Sequence, residues 1–267
     1  MRIPSTTDEE DLLLVYNVLI TCDDGISSIG LAKLAQSISD LDVNIYICAP
    51  DSERSASSQS LTIRNPIVVK EAHCEGVTYA KCWQTSGTPC DCVKLAIEKL
   101  MPHKPDLVLS GINNGLNIGE DVYYSGTVSA AREGVLNGIQ SVAFSARNYN
   151  EDVLKKTLDI ARKIVCRLID EPLPDGTLLN VNVPKSLNDS PDVRVVKTGN
   201  LNYTDVFDKR CSPRGHEYYW LAGHPDFSGL GNDCDVDCVQ GGFVAITPIK
   251  IDLTNYEFFE KLKKWNF

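Results

Sequence analysis

The sequence predicts an α/β protein: a Rossmann-like, doubly wound and mainly parallel sheet, with a C-terminal β-hairpin extension and a final helix. Three observations predict it. Short apolar runs at 16–21, 43–49, 107–109, 141–146 and 178–183 lack polar alternation, so they read as strands buried on both faces. Segments of helical period separate them, carried by Leu31, Leu34, Ala35 and Ile38, by Val93, Ala96, Ile97 and Leu100, and by Leu154, Leu158, Ala161, Val165 and Leu168. Strand, helix, strand at this spacing gives parallel pairing through right-handed crossovers. Beyond residue 191 the pattern changes to strands at 193–198, 217–222 and 243–251, joined by Gly-, Asp- and Pro-rich loops with no helical face between them.

Composition narrows the classes. A chain of 267 residues with 43% hydrophobic and 23% charged residues has ample core for one large domain with an appendage. Its formal charge of −10 argues against a surface that coats nucleic acid, which depends on clustered Lys and Arg. No apolar stretch approaches a membrane span. Leu12 to Tyr16 is a short apolar patch preceded by Asp8, Glu9, Glu10 and Asp11, the wrong flanking charge for a signal peptide. Several of the ten cysteines, such as Cys48 and Cys166, stand where a small hydrophobe belongs, and none has zinc-knuckle spacing. Reduced thiols in a cytoplasm follow.

In chain order, residues 1–15 read as a disordered acidic leader, 16–190 as the α/β core, and 191–267 as the hairpin extension, returning strand and closing helix. The first strand ends in Cys22-Asp23-Asp24-Gly25. The second is stopped by Pro50-Asp51 and followed by a polar serine loop at 51–60. Short extended runs at 61–64, 67–70 and 77–83 read as peripheral β structure. Thr88-Pro89 then supplies an N-cap and a first-turn proline for the next helix. The strand at 107–109 opens into a loop of Gly and Asn that closes at Ser125-Gly126-Thr127, the mouth of a helix whose Val128, Ala131 and Val135 share a face. Tyr256, Phe259 and Leu262 mark the last helix.

In a doubly wound sheet, ligands sit beyond the carboxyl ends of the strands. Three loops converge there: Asp23 and Asp24 after the first strand, Asp51 and the serines after the second, and Asn113 after the strand at 107–109. Paired carboxylates with hydroxyl and amide oxygens suit a hard divalent cation such as Mg²⁺, Mn²⁺ or Ca²⁺. Ser125, Gly126 and Thr127 offer free backbone N–H groups and a helix dipole to a phosphate. The plainer alternative is that the glycines allow turns and Thr127 is an N-cap. No G-x-G-x-x-G follows the first strand and no Walker-type P-loop is present. His73, His103, His216 and His224 are scattered and read as surface residues.

These blocks resemble the SurE family of survival proteins, metal-dependent nucleoside monophosphate phosphatases. The resemblance is carried by Cys22-Asp-Asp-Gly25, Ala49-Pro-Asp-Ser-Glu-Arg-Ser-Ala56, Ser60-Leu-Thr62, Gly87-Thr-Pro-Cys-Asp-Cys-Val93, Asp106 through Gly115, Asn117 through Asp121, Tyr124-Ser-Gly-Thr-Val128 and Gly242 through Pro248. It implies one divalent cation per subunit, Mg or Mn, held by Asp23, Asp24, Ser55 and Asn113. It implies a phosphate loop of Ser125, Gly126 and Thr127 lined by Asn117, and catalysis centred on Asp23 and Asp24. The activity it implies is a 5′/3′-nucleotidase that releases phosphate from a nucleoside monophosphate. The alternatives are a non-catalytic nucleotide-binding regulator and a phosphatase acting mainly on polyphosphate. A homodimer or homotetramer is implied as well, built through the aromatic-rich arm at 193–225. One departure stands out, because the family carries Asn where this chain has Cys22.

Overall fold

The computed structural model describes residues 16–148, 150–185, 192–204, 207–227 and 233–267. The leader expected at 1–15 lies outside the described residues. Strand β1 (Tyr16–Thr21) leads to α1 (Ile29–Ser37), β2 (Val43–Pro50), β3 (Val69–Glu71), β4 (Lys81–Thr85) and α2 (Pro89–Leu95), which runs on into a π-helical turn at Ala96–Leu100. Then come β5 (Leu107–Asn114), α3 (Asp121–Tyr124), α4 (Gly126–Leu136), β6 (Gln140–Ala146), α5 (Glu151–Asp170) and β7 (Thr177–Val183). The remainder supplies β8 (Val193–Val195), β9 (Asn202–Thr204), β10 (Phe207–Cys211), β11 (Glu217–Leu221), β12 (His224–Asp226), α6 (Asp235–Gln240), β13 (Val244–Lys250) and α7 (Tyr256–Leu262).

Nine strands form one sheet in the order β3-β4-β2-β1-β5-β6-β7-β13-β8. From β4 to β7 every pairing is parallel; β3 and β13 are antiparallel to their inner neighbours. Side chains of a strand alternate between faces, and the core divides accordingly. Val18 and Ile20 pack with Leu31, Leu34, Ala161 and Val165 from α1 and α5. Leu19 and Val108 point the other way, into Cys92, Val93 and Ala130 from α2 and α4. Each such fully buried aliphatic side chain contributes about 1.5–3 kcal/mol. Both faces are covered, which is why these strands are continuous apolar runs.

Several expectations change in detail. The run at 61–64 forms no ladder, because the Thr62 N–H is taken by the Asp91 carboxylate at 3.0 and 3.2 Å. The runs at 67–70 and 77–83 yield β3 and β4, which form one edge of the main sheet beside β2. Strand β5 continues to Asn114, with its register against β6 shifting between Ser110 and Asn113. The region after 191 gives β8 and β13 to the same sheet and contains a helix the periodicity missed, α6. Six residues bearing two aspartates are too short to show a helical stripe, yet Val236, Cys238 and Val239 are buried. Cys166 is exposed, on the outer side of α5, while Cys48 is buried as expected.

Helix α6 owes its place to Asp235. The fully buried carboxylate accepts from Gly119 N–H at 3.0 Å, Gly199 N–H at 2.8 Å and Val236 N–H at 2.9 Å, so it fastens the long loop after β5 to the start of the arm. Burial pushes its pKa up and those N–H groups pull it back. Asp235→Ala strands buried donors that cost about 1–3 kcal/mol each. We expect a loss of about 3 kcal/mol by urea denaturation, and a change near zero would show that the loop is held otherwise.

Candidate active site

The order β2-β1-β5 places the reversal of strand order between β1 and β5, where an open parallel sheet leaves a crevice at its carboxyl edge. Asp23 and Asp24 leave β1 there, and Asn113 and Asn114 end β5. The Asp pair is turned by Gly25, whose φ of +91° and closeness to the Pro50 and Ser52 carbonyls suit only glycine. Asp24 then accepts from Asn114 N–H at 3.1 Å, which closes the crevice between the two strands.

Asp23 is only 4% exposed and faces the start of α4, where the Thr127 hydroxyl donates to its Oδ1. Ser125 caps the helix, its Oγ accepting from Val128 N–H at 3.1 Å. Between them Gly126 is in tight contact: a Cβ there would lie 2.9 Å from Asp23 Cβ and 2.8 Å from Ser57 Oγ. The serine loop closes over this junction. Arg54 N–H donates to the Asp23 carbonyl at 2.8 Å, while Ser58 N–H and Oγ donate to the carbonyls of Tyr124 and Tyr123 at 3.0 and 2.8 Å.

Burial pushes Asp23 up to about 6, with the Thr127 hydroxyl pulling it down and the charge of Asp24 pushing it up again. Asp24 is also raised, by burial, against the Asn114 N–H and with the charge of Glu53 adding to the rise. Two acids thus share a crevice, and the charge of Asp24 makes Asp23 harder to ionise. Among the described residues no cluster of three His, Cys, Asp or Glu side chains is placed to hold a metal. The donor set is two carboxylates supplemented by neutral oxygens. The Asn113 Nδ2 donates to Gly115 O at 3.2 Å, which leaves its amide oxygen available. Ser55 is exposed, and its hydroxyl donates to Glu53 at 2.6 Å.

Two residues singled out from sequence are otherwise engaged. Asp51 pairs with Arg54 at 3.1 Å. Asn117 is buried: its Nδ2 donates to Ser145 at 2.8 Å, its N–H to Asn182 at 2.8 Å, and its carbonyl accepts from Asn180 and Asn182. Sequence reasoning passed over Glu53, beside Asp24, and Ser57, whose buried Oγ has no hydrogen-bond partner among the described residues. Nothing in a polar, serine-rich loop marks which hydroxyl turns inward.

A family model described as "Survival protein SurE" matches residues 18–205. The chain belongs to the SurE family. It is 48% identical over 253 residues to the 5′-nucleotidase SurE of Desulforudis audaxviator, covering 93% of this chain and 96% of that protein. It is 46% identical to the 5′-nucleotidase SurE of Pelotomaculum thermopropionicum, covering 92% and 94%. The crystal structure of the SurE protein from Aquifex aeolicus superposes with a TM-score of 0.78 at 35% identity, over 92% of this chain and 98% of that one.

Cys22, just ahead of the Asp pair, is fully buried, with its thiol 3.9 Å from Ser28 Oγ and from Ile112 O. Burial first, then the charges of Asp23 and Asp24, hold it well above the ordinary thiol range. A thiol so placed is not a nucleophile at neutral pH. All ten thiols are free, and only Cys166 and Cys211 are exposed. Ellman's reagent should titrate two thiols per native chain and ten after denaturation. Rapid reaction of Cys22 in the native protein, located by mass spectrometry, would contradict the burial.

Proposed function

We propose that this SurE-family chain is a 5′-nucleotidase that hydrolyses nucleoside monophosphates at Asp23 and Asp24, with one divalent cation, Mg or Mn, per subunit. The observation that carries the reading is the meeting of two carboxylates with the N-terminus of α4 at the switch point of the sheet. The buried Asp23 and half-buried Asp24, with no basic side chain bonded to them among the described residues, call for a cation, and their all-oxygen surroundings fit a hard one. Asp23, Asp24, the Asn113 amide oxygen and the Ser55 hydroxyl would hold it. Such a cation supplies Lewis acidity toward a phosphoryl oxygen and acidifies a water near it.

The chain's own groups do the rest. Thr127 fixes the rotamer of Asp23, so the carboxylate is oriented before substrate arrives. The start of α4 at Ser125, Gly126 and Thr127 places backbone dipoles where negative charge builds on the phosphoryl oxygens. The bare Cα of Gly126 leaves no side chain between the carboxylates and that helix mouth. Asn117 supports the loop from beneath through Ser145 and Asn182.

EDTA should abolish phosphate release from AMP, and Mg²⁺ or Mn²⁺ should restore it. Asp23→Asn or Asp24→Asn should lower kcat/KM at least roughly 10- to 100-fold, whereas Cys22→Asn should keep activity. Full turnover in EDTA, or no release from AMP with metal present, would sink the proposal. Stability offers an independent readout. An acid whose folded pKa of about 6 lies above its unfolded value of about 4 binds its proton more tightly in the fold. The metal-free protein therefore loses stability as pH rises from about 4 through about 6. Mn²⁺ should raise the melting temperature more at pH 7 than at pH 5, and an equal shift at both would count against binding at these carboxylates.

Further parts of the reading concern assembly and compartment. Among the described residues the β10–β11 hairpin pairs only with itself, and it leaves Phe207, Tyr219, Trp220 and Leu221 exposed, Trp220 at 61%. Helix α7 buries no residue and exposes Tyr256, Phe258 and Phe259. So much unpartnered aromatic surface fits a second copy of the chain, in a homodimer or homotetramer. Light scattering at micromolar concentration should give a multiple of the 29.4 kDa chain mass, and a strictly monomeric mass would overturn this. The ten free thiols fit a reducing cytoplasm. Among the described residues no helix is long and apolar enough to cross a membrane.

A further inference from the structure

A cavity of about 530 Å³ lies between α1 and the connection that joins β3 to β4, and nothing in the phosphate chemistry above uses it. Ile26 and Ala32 give it an apolar floor, and Ile29 stands at its mouth with 65% of its surface exposed. Lys33, Gln36, His73 and Glu75, with the hydroxyls of Ser27 and Ser28, supply its polar groups. The two walls are tied together. Gln36 Nε2 donates to Gly76 O at 3.2 Å, Lys33 Nζ donates to Gln36 Oε1 at 3.0 Å, and the Cys74 thiol lies 3.9 Å from Ile26 O. A cavity of this size, with an apolar floor, convergent polar groups and braced walls, is the usual form of a small-molecule site.

Its position gives the occupant. The chain that carries Asp23 and Asp24 becomes the wall of the cavity within three residues, through Gly25, Ile26 and Ser27. Three trans peptide units bound the Cα separation of Asp24 and Ser27 at about 11 Å. Two successive turns shorten it, Gly25 N–H donating to Cys22 O at 3.1 Å and Ser28 N–H to Gly25 O at 3.0 Å. Ile26 N–H donates to Pro50 O at 2.9 Å, which pins the rim to the end of β2 and hence to the serine loop. A ribose between a phosphate at the carboxylates and a ring at this mouth would bridge a separation of that order.

We infer that this cavity takes the nucleobase of the substrate whose phosphate sits beside Asp23 and Asp24. The inference rests on the nucleotidase reading and adds to it the second half of the substrate. Ile26, Ile29 and Ala32 offer one face of the ring an apolar surface, and the exposed imidazole of His73 lines the open side. Beyond the bonds that brace the walls, the ammonium of Lys33 keeps two further N–H donors and the amide of Gln36 one, for ring nitrogens or exocyclic oxygens. The volume admits a two-ring purine.

The test separates base recognition from phosphate chemistry. Steady-state kinetics on AMP and on ribose 5-phosphate, which lacks the base, would be compared in the metal-loaded full chain, with adenosine binding followed by calorimetry. Ile29 is exposed, so Ile29→Asp should fold, and Ile29→Leu serves as the conservative control. Ile29→Asp should raise KM for AMP roughly tenfold, the low end for a lost apolar pocket contact, and weaken adenosine binding similarly. Both parameters for ribose 5-phosphate should stay unchanged, and Ile29→Leu should behave as the parent does. An unchanged KM for AMP overturns the inference, as does adenosine binding indifferent to Ile29→Asp or an equal rise in KM for both substrates. Absence of turnover in the parent protein would defeat the nucleotidase reading alone, because the adenosine measurements decide the base site without catalysis.

Discussion

The structure turns on one contact, the Asp23 carboxylate buried against the first turn of α4. A buried carboxylate is costly unless donors or a cation meet it, and here the Thr127 hydroxyl does so only in part, leaving Asp23 with a pKa pushed up to about 6. Burial thus outweighs the single hydroxyl donor at this carboxylate. The contact also fixes geometry, because it brings the end of β1, the start of α4 and the serine loop after β2 within bonding distance of one another.

Each of those pieces depends on the others through small residues. Gly126 must lack a side chain because Asp23 and Ser57 occupy its Cβ position, and Gly25 must turn under the Pro50 and Ser52 carbonyls. Ala56 and Ser58 hold positive φ values of +53° and +52° so that the serine loop can reach the Tyr123 and Tyr124 carbonyls. Backbone held in that region costs about 1–3 kcal/mol per residue, and the hydrogen bonds of Ser58 to α3 offset part of it. Rigid strands beneath and a braced loop above give the carboxylates little freedom to move before substrate binds.

The arm and the closing helix follow a different logic. The core strands are covered on both faces, whereas β10, β11 and α7 present aromatic side chains to solvent. Tyr203 is the exception that ties the arm to the site. Its hydroxyl donates to the Asp121 carboxylate at 2.7 and 2.9 Å, in the short helix α3 that leads directly into Ser125. The arm is thereby tied to the segment that leads into Ser125, Gly126 and Thr127.

The sequence alone determined the parallel core, because continuous apolar runs separated by helical periods admit almost no other arrangement. It also determined the crevice residues: the pair Asp23 and Asp24 directly after β1, and Gly126 within a Ser-Gly-Thr helix start, are local signals with a physical reason at each position. Long-range partners decided the rest. No pattern shows that Thr127 bonds to Asp23 across 104 positions, that Asn117 is spent on Ser145 and Asn182, or that Ser57 turns inward while Ser55 faces Glu53. Helix α6 escaped periodicity because six residues make fewer than two turns, and it is held by the Asp235 contacts to Gly119 and Gly199. The cavity beside Ile29 was equally illegible, since its two walls are brought together only when α1 packs against the connection after β3. Residue type and local order are written in the chain; which hydroxyl or carboxylate meets which partner is settled only when distant segments compete for the same space.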